Sequence, residues 1–152
     1  MSATRTAPTG FVRRMASLAA PFTAGALATL GAFLLFRDSF PEKVATHFTL
    51  DGTADDYRSP AAAFGLYMLV FALEAFGAVA AGFSARSITA NRSLRVFSYG
   101  LAAATAYLFI AIMWTNSSEG HTPHLPLHHL PVAVALGAAA GAVAWLIARR
   151  PA

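Results

Sequence analysis

Cysteine is absent from the sequence, and lysine occurs once, at Lys43. The first absence excludes disulfides, thiolate metal sites and cysteine nucleophiles. Charge is scarce as well: 12% of the 152 residues are Asp, Glu, Lys or Arg, about half the share of an ordinary soluble domain. Recognised phosphate-binding and hydrolase signatures are also missing, with no P-loop, no Rossmann glycine pattern and no nucleophile elbow. What is present instead is 57% hydrophobic residues, gathered in blocks rather than in amphipathic stripes. Blocks of that kind predict a polytopic membrane protein, not a globule with a watery surface.

The blocks fall at 15–36, 61–83, 96–115 and 130–148. Each is long enough to cross a hydrocarbon layer of roughly 30 Å at about 1.5 Å per residue. The expected fold is therefore an all-α integral membrane protein of four transmembrane helices. Residues 1–14 read as a flexible tail and 15–152 as the membrane domain. The first block follows Arg13-Arg14, as a secretory signal would. Its 22 residues exceed an h-region of about 7–15, which favours an uncleaved span.

Ten of the eleven basic residues are arginine, and they cluster at span ends. With the N-terminus inside, eight arginines lie inside, against Arg37, Lys43 and Arg58 outside. Six of the seven acids then lie outside. The positive-inside rule thus predicts both termini in the cytoplasm and the chain in the inner (plasma) membrane. The same asymmetry explains the basic balance without direct nucleic-acid binding.

The link between the first two spans is the one long polar segment, FPEKVATHFTLDGTADDYRS from Phe40 to Ser59. Asp51-Gly52 is a turn signal, in which Gly52 can take positive φ. Ser59-Pro60 fits a helix start, with serine as N-cap and proline at the first helical position. Turn chemistry leaves His47 and Phe48 unexplained. Together with Gly52, Asp55, Asp56 and Arg58 they form a candidate ligand-binding set in an ordered extracytoplasmic link.

Inside the membrane, Glu74 is the one ionisable group in mid-span, which marks it for a functional role by default. Helical spacing places Ala63, Tyr67, Val70, Glu74, Gly77, Ala78 and Ala81 on a bundle-facing side, with Leu69, Phe76, Val79 and Phe83 toward lipid. Counting from the inner ends sets Glu74 level with Thr105, and Thr23 or Thr29 could reach the same depth. A neutral Glu74 hydrogen-bonded to such hydroxyls is the expected state. In the fourth span, Gly137 and Gly141 form a GxxxG step on a small-residue face. That face suits another helix of the same chain or, alternatively, a homodimer.

The third link, NSSEGHTPHLPLHH, carries His121, His124, His128 and His129. Neutral imidazoles could bind zinc or copper. Pro123 and Pro126 preclude the regular helix that would set ligand spacing, so an uncharged outer loop is the main expectation and no cofactor is assigned.

The Phe40–Ser59 link resembles the bacterial domain-of-unknown-function 1648 (DUF1648) family, the N-terminal part of SdpI-type immunity proteins. The residues that carry the likeness are Pro41, His47, Phe48, Gly52, Asp55 or Asp56, and Arg58, in that order. Ala45 stands where the family's proline is expected. The resemblance spans about Leu30 to Val79. It implies a membrane protein with this link outside, and a role in protection from a secreted toxic peptide or in holding a small cytoplasmic repressor at the membrane. The reading is thus a non-enzymatic component that meets a lipid bilayer, a secreted peptide or small ligand, and a cytoplasmic regulator. The alternative is a small transporter or channel subunit that uses Glu74.

Overall fold

A computed structural model describes residues 8–85, 87–119 and 122–149. The elements run α1 (Pro8–Phe36), a short 3-10 turn (Arg37–Ser39), β1 (Val44–Phe48), β2 (Ala54–Arg58), α2 (Pro60–Ser84), α3 (Ile88–Glu119) and α4 (His129–Arg149). Each of the four α-helices is long and apolar enough to cross a membrane. Their outward faces carry Leu35, Phe76 and Val134, each at least 70% exposed. Such surfaces are stable against lipid rather than water. The chain is a multi-pass membrane protein.

Helices α2 and α4 match the apolar blocks to within a residue at each end. Helix α1 begins at Pro8, inside the stretch read as a tail, so that reading is corrected for residues 8–14; residues 1–7 lie outside the described part. Two contacts draw these turns into the helix. The Arg14 guanidinium donates to the carbonyls of Gly82 and Ala85, capping the end of α2, where unpaired carbonyls attract a cation. Phe11 packs on Phe83 with ring centroids 5.3 Å apart. Helix α3 likewise runs past its apolar block at both ends, through Asn91–Arg95 and Asn116–Glu119.

Helix α3 is the centre of the bundle. It packs against α1, α2 and α4, while α4 has α3 as its main partner. Leu18 and Phe22 of α1, Phe71 of α2 and Ala102 of α3, each at most 2% exposed, form the inner core. Room for Phe71 is made by Gly25, whose missing Cβ would lie 2.7 Å from the Phe71 ring. This large-into-small fit turns α2 relative to the face expected from spacing. Phe71 and Gly82 are buried, whereas Gly77 and Ala81 are exposed and Val79 is half-buried against the core.

The α3–α4 seam is closer still. A Cβ on Gly100 would sit 2.9 Å from the Gly137 carbonyl oxygen, and one on Gly137 would sit 2.7 Å from that of Gly100. A Cβ on Gly141 would meet the Val96 carbonyl oxygen at 3.3 Å. The GxxxG step is therefore occupied by α3 of the same chain, which removes the homodimer seam through Gly137 and Gly141. Backbones this close gain packing that lipid tails cannot replace. At the far end of the seam Arg92 donates to the Trp145 carbonyl (3.1 Å), and the Arg149 guanidinium lies 3.7 Å over the Trp145 ring.

The link between α1 and α2 is a β-hairpin, which the sequence reading, limited to turns, did not anticipate. β1 and β2 are antiparallel, pairing Val44 with Arg58, Ala45 with Tyr57, His47 with Asp56, and Phe48 with Ala54. The register skips Thr46 on β1 and Asp55 on β2, one bulge on each strand. The hairpin and the α3–α4 link share one end of the molecule. Arg13, Arg14, Arg92, Arg95 and Arg149 mark the other.

Candidate functional site

The hairpin is seated on the bundle through Val44 and Ala45, which are 4% and 0% exposed. Val44 packs with Ala63, Tyr67 and Met113. Ala45 is bound by one side chain on its backbone. Its N–H donates to Asn116 Oδ1 (2.7 Å), and its carbonyl accepts from Asn116 Nδ2 (3.0 Å). Asn116 Nδ2 also donates to the Ile112 carbonyl (2.9 Å). One amide thus stands in for a third strand along β1, and it does so at 1% exposure, where an unpaired peptide group is costly. Sequence reading placed Asn116 in a link. Its partner lies 71 residues away, and nothing local signals the contact.

The turn is fixed from the other side. Gly52 adopts φ +86°, a conformation in which a Cβ is strained. Its carbonyl accepts from the Leu125 N–H (3.0 Å), and Thr53 forms an isolated bridge with His124. A Cβ on Gly52 would lie 2.5 Å from the Leu125 carbonyl oxygen. The α3–α4 link is therefore folded onto the hairpin, and Glu119 helps to hold it by accepting from the His124 N–H (2.7 Å). Asp51 accepts from the Thr49 hydroxyl and the Thr53 N–H. These bonds, the Thr49 hydroxyl first, hold its carboxyl below the usual range.

Bulges re-aim side chains, and here the two of them accompany a paired set on the exposed side. His47 Nδ1 and Asp55 Oδ1 are 2.5 Å apart, with the side chains 67% and 46% exposed. Asp56 accepts from the Thr46 hydroxyl (2.8 Å) and from Arg58 Nε (3.1 Å). The Thr46 hydroxyl, then Arg58, lowers the Asp56 carboxyl below its ordinary value, so this carboxylate keeps its charge in mildly acidic surroundings. His47, Asp55, Asp56 and Arg58 are thus brought together on one small rigid platform with exposed Tyr57 beside them. Phe48 is half-buried opposite Ala54, and Gly52 is buried in the turn; both shape the platform rather than face outward.

The other candidate residues separate. Thr105 Oγ1 donates to Glu74 Oε1 (2.7 Å), as depth counting expects, and Glu74 Oε2 is buried with no partner among the described residues. Thr23 takes no part: it is exposed and donates to the Ala19 carbonyl of its own helix. Thr29 is fully buried, and its hydroxyl has no partner among the described residues. Among the described residues no three of His, Asp or Glu converge as a metal site. The rings of His128 and His129 lie tilted with centroids 4.5 Å apart, and His129 Nδ1 is engaged by the Tyr107 hydroxyl (2.8 Å), a tie between α3 and α4. His124 lies at the hairpin turn instead, and His121 lies outside the described residues.

Comparison with curated proteins and with solved structures gives no match. A family model does match, over residues 24–71, from the C-terminal half of α1 through the hairpin and into α2. That stretch holds the His47 platform, the Gly52 turn and the Ser59–Pro60 helix start, the same residues on which the likeness was drawn. The segment 24–71 of this four-helix membrane protein is thus a match to the family described as Domain of unknown function (DUF1648).

Proposed function

We propose that the protein is a non-enzymatic membrane component of the immunity or sensing kind, whose hairpin platform receives a secreted peptide or small ligand outside the plasma membrane. The observation that carries this reading is the Asn116 clamp on Ala45. It makes the platform a fixed extension of α3, so force or burial at the hairpin reaches the helix that touches every other helix. The inner end of α3 holds Arg92 and Arg95, a surface suited to an acidic face of a cytoplasmic regulator such as a small repressor.

The orientation follows from the arginine distribution. Alkaline phosphatase, which works only outside the cytoplasm, is expected to be inactive when fused after Arg149 and active when inserted at Leu50. Activity of the first fusion would reverse the assignment.

The function is tested by deleting the gene in its host and challenging cells with secreted antibacterial peptides. Loss of the protein is expected to raise sensitivity. Wild type restores tolerance, while His47→Ala and Asp55→Asn, at equal membrane abundance, do not. Equal tolerance in all four strains would sink the reading.

A further inference from the structure

Beside Glu74, a recess of about 240 Å³ lies between α2 and α3, with Phe22 of α1 at its back. Its walls are Phe22, Leu94, Phe97 and Leu101, with Gly77 and Ala81 at the rim. Gly77, Ala81 and Phe97 are exposed on the helix surface, so the recess opens sideways toward lipid. Phe97 and Leu101 also line a larger apolar groove of about 590 Å³ between α3 and α4, and the two spaces therefore adjoin.

Glu74 lies ten residues before the end of α2 at Ser84, about 15 Å from that end at ~1.5 Å per residue. Its Oε2 is buried, and a charge at that depth needs a partner. Thr105 satisfies one oxygen only. The three described ion pairs, Arg37–Asp38, His47–Asp55 and Arg58–Asp56, all lie at the hairpin end. No described cation answers Glu74.

An apolar, aromatic-lined recess with one unanswered carboxyl and a side entrance defines the chemistry of its guest. We propose that it binds a lipophilic organic cation, an alkylammonium, which enters from the bilayer. The cationic head sits against Glu74, which is neutral in the empty recess and yields its proton as the cation enters, and beside Phe22 and Phe97, where a desolvated cation gains from both the carboxylate and the aromatic quadrupole. The alkyl chain lies along the adjoining α3–α4 groove. Binding here is independent of whatever the hairpin receives.

The test uses the full chain in phosphatidylcholine nanodiscs with radiolabelled dodecyltrimethylammonium, measured against empty discs. Wild type is expected to bind saturably. Glu74→Gln keeps an acceptor for Thr105 and loses the charge. Gly77→Leu fills the rim from a position where an added Cβ meets nothing within 4 Å, so the fold is kept. Each variant is expected to bind at least about tenfold more weakly, with unchanged helical circular dichroism, and the neutral analogue dodecanol is expected not to compete. Absence of saturable binding by wild type, undiminished binding by Glu74→Gln or by Gly77→Leu, or effective competition by dodecanol would overturn the proposal. Should Glu74→Gln fail to fold, Gly77→Leu and the dodecanol competition decide.

Discussion

Gly137→Val is expected to detach α4 from α3. The new side chain would project onto the Gly100 carbonyl at 2.7 Å and the Ala104 methyl at 3.3 Å. A backbone carbonyl cannot swing aside as a flexible side chain can, so the helices must separate along the seam. Ordinary overpacking costs about 1–3 kcal/mol; with a backbone atom as the obstacle, a loss at or above ~3 kcal/mol is expected. Unfolding of purified protein by SDS titration reads this directly. Gly77→Val is the matched control, because a Cβ there meets nothing within 4 Å, and it is expected to change stability by less than about 0.5 kcal/mol. Equal effects at the two positions would show that α4 does not depend on the Gly100–Gly137 contact.

Asn116→Leu carries the second large effect. The side chains are alike in size, so packing is broadly retained while three hydrogen bonds are lost. The Ala45 N–H and carbonyl remain buried without partners, and each costs about 1–3 kcal/mol in that condition. A total near 2–5 kcal/mol is expected, measured by the same titration, together with faster proteolysis between residues 40 and 59 in intact membranes. Asn116→Ala is expected to behave like Asn116→Leu in the protease assay, since the bonds rather than the volume hold the hairpin. Protection equal to wild type in both variants would mean that Val44 packing and the Gly52–Leu125 contact seat it without Asn116.

These two positions differ in how far they could be read from the chain. The glycine step at 137 and 141 is visible because small residues four apart mark a close helix approach wherever the partner comes from. The partner itself is chosen by connection: α4 follows α3 after a short link and docks on it. The positions of α2 and α4 are legible for a similar reason, as their polar flanks stop where the helices stop. Helices α1 and α3 continue into polar turns at Arg13–Arg14 and Asn91–Arg95, which hydropathy alone does not count as helix.

The candidate site was legible in parts. Gly52 and Ser59–Pro60 announce themselves through local backbone chemistry, and the structure gives Gly52 positive φ and a Ser59 hydroxyl that accepts from the Ala62 N–H. Glu74 and Thr105 follow from counting depth along antiparallel helices. The strands were missed although VATHF and ADDYR flank a turn signal, because charged and small residues mask their alternation. Thr23 misled because depth was counted without rotation about the helix axis. The true inward face of α2 depends on Gly25 of α1 admitting Phe71, a complementarity that no single helix contains.

The Asn116 clamp has a temporal side. Ala45 leaves the ribosome 71 residues before Asn116, which at about 5–20 residues per second is a delay of roughly 4–14 s. Through that interval the Ala45 peptide group has only solvent or headgroups to bond with, and the hairpin waits outside its final seat. Completion of α3 ends the wait. The platform is therefore completed late, by a residue from the far side of the chain, and a nascent protein stalled before residue 116 would present a hairpin held only through Val44 on Ala63 and Tyr67 of α2.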